Sequence, residues 1–354
     1  MKRLVVEGPK NAYFQDIDIP SCPKNGIVAK ALFTAISTGT EVRVYRWLPV
    51  DPEGEYSHPM LKFTGKPIPN GYCMVGEVIE IGSEVTDYSI GDVVYMGEPH
   101  QEYASSVVDN IFKIPEGVSY EVAAFMNVLH VAQGAIRDGN PKPGENVLIL
   151  GLGVVGLSAV AFSNAFGFNT VAMDLNDKRV EIAREMGAGL SISPSTPGYA
   201  EKIKEFFNGQ DPDLVIEAAS SWRAIKTGLD LVRPSGTVIV VATHTDKPDF
   251  DPVGHPYLSK KLTLKTSYGP ELEGSRWDKE ASREFTFDLL RKNKMDIKPM
   301  ITDTISWDKI PDIYDRLDKE EQDIAGVLVK SNPVLLHLSQ SASPGLASTE
   351  GNYH

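Results

Sequence analysis

Cysteine is scarce in this chain. Its 354 residues include two, Cys22 and Cys73, so no disulfide framework organises it and a reducing, cytoplasmic setting is expected. Basic residues are outnumbered, 35 Lys and Arg against 48 Asp and Glu, which gives a formal charge of −13. Nucleic acid and anionic membrane surfaces both ask for basic patches, so neither is expected as a partner. No apolar run approaches the ~18 residues of a membrane-spanning helix. The start, Met1-Lys2-Arg3-Leu4-Val5-Val6, carries charge, but its apolar stretch is short and no small-residue cleavage site follows. It reads as a first strand and not as a signal peptide. Internal repeats are also lacking. What remains is 42% hydrophobic and 23% charged, the composition of a soluble globular enzyme with room for two domains.

The most informative stretch is the apolar run 147–150 followed by Gly151-Leu152-Gly153-Val154-Val155-Gly156. It reads as a strand, a tight turn and a helix start. Gly151 allows the turn, Gly153 lets backbone approach a pyrophosphate, and Gly156 lets the helix pack against the strand. The helix N-terminus then offers N–H groups and a positive dipole end to phosphates. A second strand-like run ends in Asp174, 18 residues past Gly156. An acid there accepts hydrogen bonds from adenosine ribose hydroxyls and repels a 2′-phosphate, which favours NAD over NADP. Leu175, Asn176 and Asp177 follow, with no Arg beside the acid to accommodate a phosphate.

Around this stretch the pattern changes twice. Up to about residue 118 short runs such as 26–33, 76–81 and 92–95 sit between Gly, Pro and Asn, the habit of a β-rich region. Apolar spacing over 120–137 (Val122, Phe125, Met126, Leu129) predicts one helix leading to the Pro141-Lys142-Pro143-Gly144 junction. From 145 to about 270 strands (147–150, 170–174, 213–218, 237–242, 262–267) alternate with helices (154–166, 178–187, 198–207, 222–232). Such alternation builds a doubly wound parallel α/β sheet with its ligand at the C-terminal strand ends. Residues 271–332 read as helix (277–292), strand (300–305), helix (307–317) and strand (326–329), returning to the first region. The Ser-, Gly- and Ala-rich tail 333–354 reads as flexible.

Several segments together resemble the medium-chain dehydrogenase/reductase superfamily, the fold of zinc alcohol and sorbitol dehydrogenases. They are Ser37-Thr-Gly-Thr-Glu-Val-Arg-Val-Tyr45, the stretch from Pro69-Asn-Gly-Tyr-Cys73 to Gly82, Gly91-Asp-Val-Val94, the Gly151–Gly156 turn, and Met300-Ile-Thr-Asp-Thr-Ile305. The resemblance covers nearly all of 1–332. It implies a GroES-like β-rich catalytic domain (1–144 and 271–332) interrupted by a Rossmann domain (145–270), with the active site between them. It also implies a homodimer or homotetramer joined through the Rossmann sheets. The implied cofactor contacts are Gly151, Gly153, Val154, Val155, Gly156, Asp174, Arg179, Ala219, Thr243 and His244. Val155 is expected behind the nicotinamide ring and His244 beside it.

The chain departs from the zinc members of that superfamily. Thr38-Gly39-Thr40-Glu41 stands where they have Cys-Gly-Thr-Asp, Gly71-Tyr72-Cys73 where they have Gly-His-Glu, and Met126 where the third ligand would fall. A catalytic zinc needs about three protein N, S or O ligands. The four-cysteine structural lobe is missing as well, since the chain runs directly from Tyr95 to Tyr103. No metal is therefore expected; the alternative is a rebuilt site drawing on His58, His100 or His130, although scattered histidines are more often surface or satisfied core residues.

Without zinc, other groups must steady the substrate oxygen or move its proton. Tyr72 offers a phenol donor, against a simple packing role. Thr40 stands at the superfamily's proton-relay hydroxyl, against a turn role. Glu41 is expected to pair with Arg43 or Arg46, or to bind a substrate hydroxyl. Arg43 matches a relay histidine, with a solvated or phosphate-binding arginine equally open. His130 is a candidate general acid or base near the nicotinamide. Nothing beside Cys73 in sequence marks a lowered pKa, so it reads as inert. The leading expectation is an NAD(H)-dependent, zinc-independent enzyme that interconverts a secondary alcohol and a ketone on a small-molecule sugar, polyol or larger ring. An enoyl reductase and a non-catalytic dinucleotide-binding protein are the alternatives. Residues 47–66 read as a substrate loop or lid.

Overall fold

The computed structural model describes residues 1–48, 66–244, 246–269, 276–319 and 323–331. The expectations for most of the 47–66 loop, for His58 and for the 333–354 tail lie outside these residues. The chain begins with β1 (Lys2–Val6), β2 (Ala12–Asp16), β3 (Gly26–Ile36), α1 (Thr38–Tyr45), β4 (Ile68–Pro69), β5 (Met74–Ile81), β6 (Val93–Met96), β7 (Tyr103–Val107) and β8 (Ile111–Lys113). Helices α2 (Tyr120–Ala123) and α3 (Met126–Gly139) lead out of this β-rich unit. There follow β9 (Asn146–Leu150), α4 (Val154–Ala165), β10 (Asn169–Met173), α5 (Asp177–Glu185), β11 (Leu190–Ile192), α6 (Tyr199–Phe206), β12 (Leu214–Glu217), α7 (Trp222–Leu231), β13 (Thr237–Val240), α8 (His255–Lys260) and β14 (Thr263–Thr266). The chain then adds α9 (Lys279–Arg291), β15 (Ile301–Ser306), α10 (Ile310–Asp318) and β16 (Gly326–Lys330).

The central sheet has the order β11-β10-β9-β12-β13-β14, with every pairing parallel. Its strand order reverses around β9, so the crevice for a ligand opens where β9, β10 and β12 end. All five residues of β9 are buried, as a strand covered on both faces must be. Helix α4 is apolar almost all round because α3 packs along it and the sheet lies beneath it. Asn176 caps α5, its side-chain oxygen accepting Lys178 N (2.9 Å) and Arg179 N (3.2 Å).

The β-rich unit is a largely antiparallel sheet, β15-β16-β3-β5-β6-β8, with β7 also on β3, beside a small β2-β1-β4 sheet. Strand β16 pairs antiparallel with β3 and parallel with β15, so the end of the described chain closes the sheet begun near its start. Three local expectations are corrected. The helix read over 120–137 is two helices, because Phe125 sits at ψ 8° between them. Ala123, Ala124, Phe125 and Met126 are all fully buried, more consecutive residues than one face of a single helix can hide. Strand β11 and helix α8 are additions, too short for periodicity to announce. Among the described residues no helix is long and apolar enough to cross a membrane.

Candidate functional site

Each glycine of the 151–156 turn has its own physical reason. Gly151 lies at φ +89°, and a Cβ there would stand 2.6 Å from the Ala219 nitrogen. A Cβ at Gly156 would fall 1.8 Å from the Gly151 carbonyl oxygen, so only glycine lets α4 start this close to β9. Gly153 differs, since a Cβ there would meet nothing within 4 Å. The fold does not need that glycine; the open space it leaves over the start of α4 is a cradle for a phosphate group.

Asp174 ends β10 beside this cradle and accepts Leu152 N (2.6 Å) and Asn176 N (2.8 Å). The two carboxylate oxygens are thereby held one on each amide. At the end of β12 the fully buried Glu217 accepts Ala219 N (2.9 Å), Ser221 N (3.2 Å) and His244 Nε2 (2.9 Å). The His244 ring also lies 5.1 Å from the Trp222 ring. The crevice therefore gathers Gly151, Gly153, Val154, Val155, Gly156, Asp174, Ala219, Thr243 and His244 at neighbouring strand ends, with Thr243 and Ala219 exposed and Val155 half-buried. Arg179 reaches across, its guanidinium donating to the Ile324 carbonyl (3.2 Å). In the sequence Glu217 shows as an acid ending the apolar run 214–216. These groups fit a dinucleotide: N–H groups and space for the pyrophosphate, an acid for a ribose.

The second half of the site is built on α1 and the turn before β5. The Tyr72 hydroxyl donates to Ser37 Oγ and lies 3.5 Å from Thr40 Oγ1. Burial, with Cys73 next, pushes the phenol well above its ordinary pKa, so it stays protonated at neutral pH and able to donate. The Tyr72 carbonyl is held by Asn127 Nδ2 (2.8 Å). Thr40 and Tyr72 thus come together, and Ser37, not anticipated, joins them.

Glu41 does not pair with Arg43 or Arg46, a correction to the expectation. Its side chain is fully buried, and its hydrogen-bond partners are neither arginine. Oε1 accepts Ser37 N (2.7 Å), while Oε2 meets His100 Nε2 (2.8 Å) and the Tyr314 hydroxyl (2.6 Å). His100 Nδ1 lies 2.7 Å from Thr34 Oγ1, so this ring is a satisfied core histidine. Arg46 instead binds Asp318 Oδ1 (2.7 Å). Arg43 is half-buried, and burial followed by the Arg46 charge lowers its guanidinium pKa while Asp246, beyond β13, works the other way. His130 is buried on α3.

Zinc does not fit these side chains. The ligand positions implied by the resemblance hold Thr38, Tyr72 with Cys73, and Met126. Burial, with Glu41 next, pushes the Cys73 thiol up, against the thiolate that a metal needs. Among the described residues no three His, Cys, Asp or Glu group so as to hold a metal ion.

The comparisons with known proteins agree with this architecture. The zinc-binding dehydrogenase family profile matches residues 154–285. The chain is 26% identical to D-guloside 3-dehydrogenase of Escherichia coli (strain K12) over 332 residues, 89% of this chain and 95% of that protein. It is 27% identical to L-threonine 3-dehydrogenase of Pseudoalteromonas atlantica over 354 aligned residues, 90% of this chain and 96% of that protein. Among solved structures, 2R,3R-butanediol dehydrogenase from Bacillus subtilis superposes with a TM-score of 0.78 at 21% identity, covering 94% of this chain and 99% of that one. Sequence profile, near-full-length relatives and fold all point the same way: the chain is similar to the zinc-binding dehydrogenases of the medium-chain dehydrogenase/reductase superfamily.

Proposed function

We propose that this protein is an NAD(H)-dependent, zinc-independent dehydrogenase that interconverts a secondary alcohol and a ketone on a sugar, polyol or larger ring. The observation that carries the reading is the Tyr72–Ser37–Thr40 hydroxyl cluster; the resemblance puts Tyr72 at a histidine ligand of the zinc members and Thr40 at their relay hydroxyl. The relatives named as dehydrogenases of a D-guloside and of L-threonine support a small hydroxyl-bearing substrate. Residues 145–270 carry the cofactor in this reading, and 1–144 with 271–332 carry the chemistry.

When bound, the nicotinamide accepts or supplies the hydride. The protein's own groups do the rest. The N–H groups at the start of α4 and the space above Gly153 bind the pyrophosphate, and Asp174 takes the adenosine ribose. In ketone reduction the Tyr72 phenol gives its proton to the substrate oxygen and is reprotonated through the Ser37 and Thr40 hydroxyls; in alcohol oxidation each proton moves the other way. Arg43 on α1 and His130 on α3 remain the further candidate groups for this chemistry. A second copy of the chain joins through β14, an exposed edge strand at the end of the parallel sheet, to give a homodimer or homotetramer. Two free thiols, one half-buried and one buried, suit the reducing cytoplasm.

The test is absorbance at 340 nm with EDTA-treated protein. NAD⁺ is offered with a panel of polyols, sugars and secondary alcohols, and NADH with ketones and enones. Alcohol-dependent NAD⁺ reduction surviving chelation is expected. Turnover that chelation abolishes, or that only enones elicit, overturns the reading. The choice of dinucleotide has its own test. Asp174→Ala removes the ribose acceptor and the charge facing a 2′-phosphate, so NAD affinity falls by about tenfold, the worth of one charge-assisted hydrogen bond. Discrimination against NADP relaxes at the same time. An unchanged NAD-to-NADP ratio sinks the ribose assignment.

A further inference from the structure

Helix α1 has two faces of different character. Glu41, Val42, Val44 and Tyr45 are buried. Gly39, Thr40 and Arg43, related by three- and four-residue spacing, share the opposite face. That face borders open space, since a Cβ at Gly39 would meet nothing within 4 Å. Thr40 Oγ1 lies 3.5 Å from the Tyr72 hydroxyl, so Arg43 stands one helical turn beyond the hydroxyl cluster.

The charges around Arg43 do not balance. Arg46 and Lys10 share Asp318, at 2.7 Å and 2.6 Å. Asp315 holds the Tyr45 hydroxyl, and Glu41 is enclosed by Ser37, His100 and Tyr314. No described side chain hydrogen-bonds or ion-pairs with the half-buried Arg43 guanidinium. Burial and the Arg46 charge both disfavour its cation, and Asp246 is the acid whose charge opposes them.

Asp246 also relates Arg43 to the crevice. It lies on the segment after β13, and its carbonyl accepts Trp222 Nε1 (2.6 Å). The Trp222 ring lies against His244, which is bound to Glu217 at the end of β12. Glu217 pairs in the sheet with Leu150, the residue before Gly151. From α1, Arg43 therefore faces the strand ends that line the dinucleotide crevice. The charged side chains on that wall suit an anion poorly: Asp174 and Glu217 are acids, and Arg179 donates to the Ile324 carbonyl. A dinucleotide brings a negative charge on each of its two phosphates, more than the ~0.5 positive charge at the start of a helix offsets. A guanidinium supplies the missing charge and a planar fork matched to phosphate oxygens.

We propose that Arg43 binds the diphosphate of the dinucleotide from the wall opposite Gly153, so that the cofactor is clamped between α1 and α4. The inference rests on the dinucleotide part of the dehydrogenase reading and adds to it a cationic partner from the catalytic domain.

The experiment titrates the full chain and its Arg43→Gln variant with NADH, followed by fluorescence, and with ADP-ribose and adenosine, followed by calorimetry. Arg43→Gln weakens NADH and ADP-ribose by about tenfold or more, the worth of one charge-assisted hydrogen bond. Adenosine has no phosphate, and its affinity stays within twofold, which also reports an intact crevice in the variant. Undiminished NADH and ADP-ribose affinity in Arg43→Gln overturns the proposal, as does an equal loss for adenosine. Failure of the unmodified protein to bind either NADH or ADP-ribose sinks the dehydrogenase reading itself.

Discussion

Tyr72→Phe lowers turnover by roughly 10²–10⁴-fold, the usual contribution of a positioned acid or base, while NADH affinity stays within twofold. The substitution removes one oxygen and keeps the ring, so the packing of Tyr72 beside Cys73 and the hold of Asn127 on its carbonyl both persist. What disappears is the donor to Ser37 and the group facing Thr40. In the proposed reading this phenol, kept protonated by burial, is the donor that meets the substrate oxygen in place of a metal. The measurement pairs steady-state kinetics on the alcohol found by the 340 nm screen with a fluorescence titration of NADH. A fall in kcat and kcat/KM together, with binding intact, marks an interaction made in the transition state. Unchanged turnover returns Tyr72 to a packing role and shifts the search to Arg43 and His130.

The cofactor half of the site was legible because its logic is local. Gly151, Gly153, Gly156 and Asp174 lie within 24 residues; Gly151 and Gly156 serve backbone approaches that a side chain would block, and Gly153 leaves open space over the start of α4. Strand and helix alternation also follows from periodicity in short windows, so the parallel sheet could be read from residue patterns. The catalytic half was legible only in part. Tyr72 and Thr40 stood out as replacements at known positions, but Ser37 between them is an ordinary serine until α1 folds back on the turn before β5. Glu41 pointed to the arginines beside it in sequence. Its partners are His100, 59 residues on, and Tyr314, 273 residues on, and no sequence window joins them. Arg283 and Asn127, 156 residues apart, meet for the same reason, through the packing of α9 on α3. The break at Phe125 was hidden because burial of four consecutive residues looks like helical spacing when only some of them are counted.

Glu41→Ala destabilises the protein by about 3–5 kcal/mol, the cost of breaking a buried polar pair by removing one partner. The carboxylate is fully buried and accepts from three directions: the Ser37 amide, the His100 ring and the Tyr314 hydroxyl. Alanine leaves all three donors without an acceptor, at about 1–3 kcal/mol for each buried group left unpaired, and opens a void beside them. Asn70, which donates to both the Glu41 carbonyl (3.3 Å) and the Tyr314 oxygen (3.1 Å), ties the loss to the turn that carries Tyr72. Gly71, at φ +97°, sits so close to His100 that a Cβ there would meet the ring at 2.5 Å, so movement of the histidine displaces the same turn. Thermal and urea unfolding check the prediction, with a fall in Tm on the order of 10 °C. Glu41→Gln separates charge from shape: its amide keeps one acceptor and the volume, so it loses less stability than alanine. If both variants unfold like the unmodified protein, the Glu41–His100–Tyr314 network does not hold the site together, and the position of Ser37 against Tyr72 must come from α1 alone.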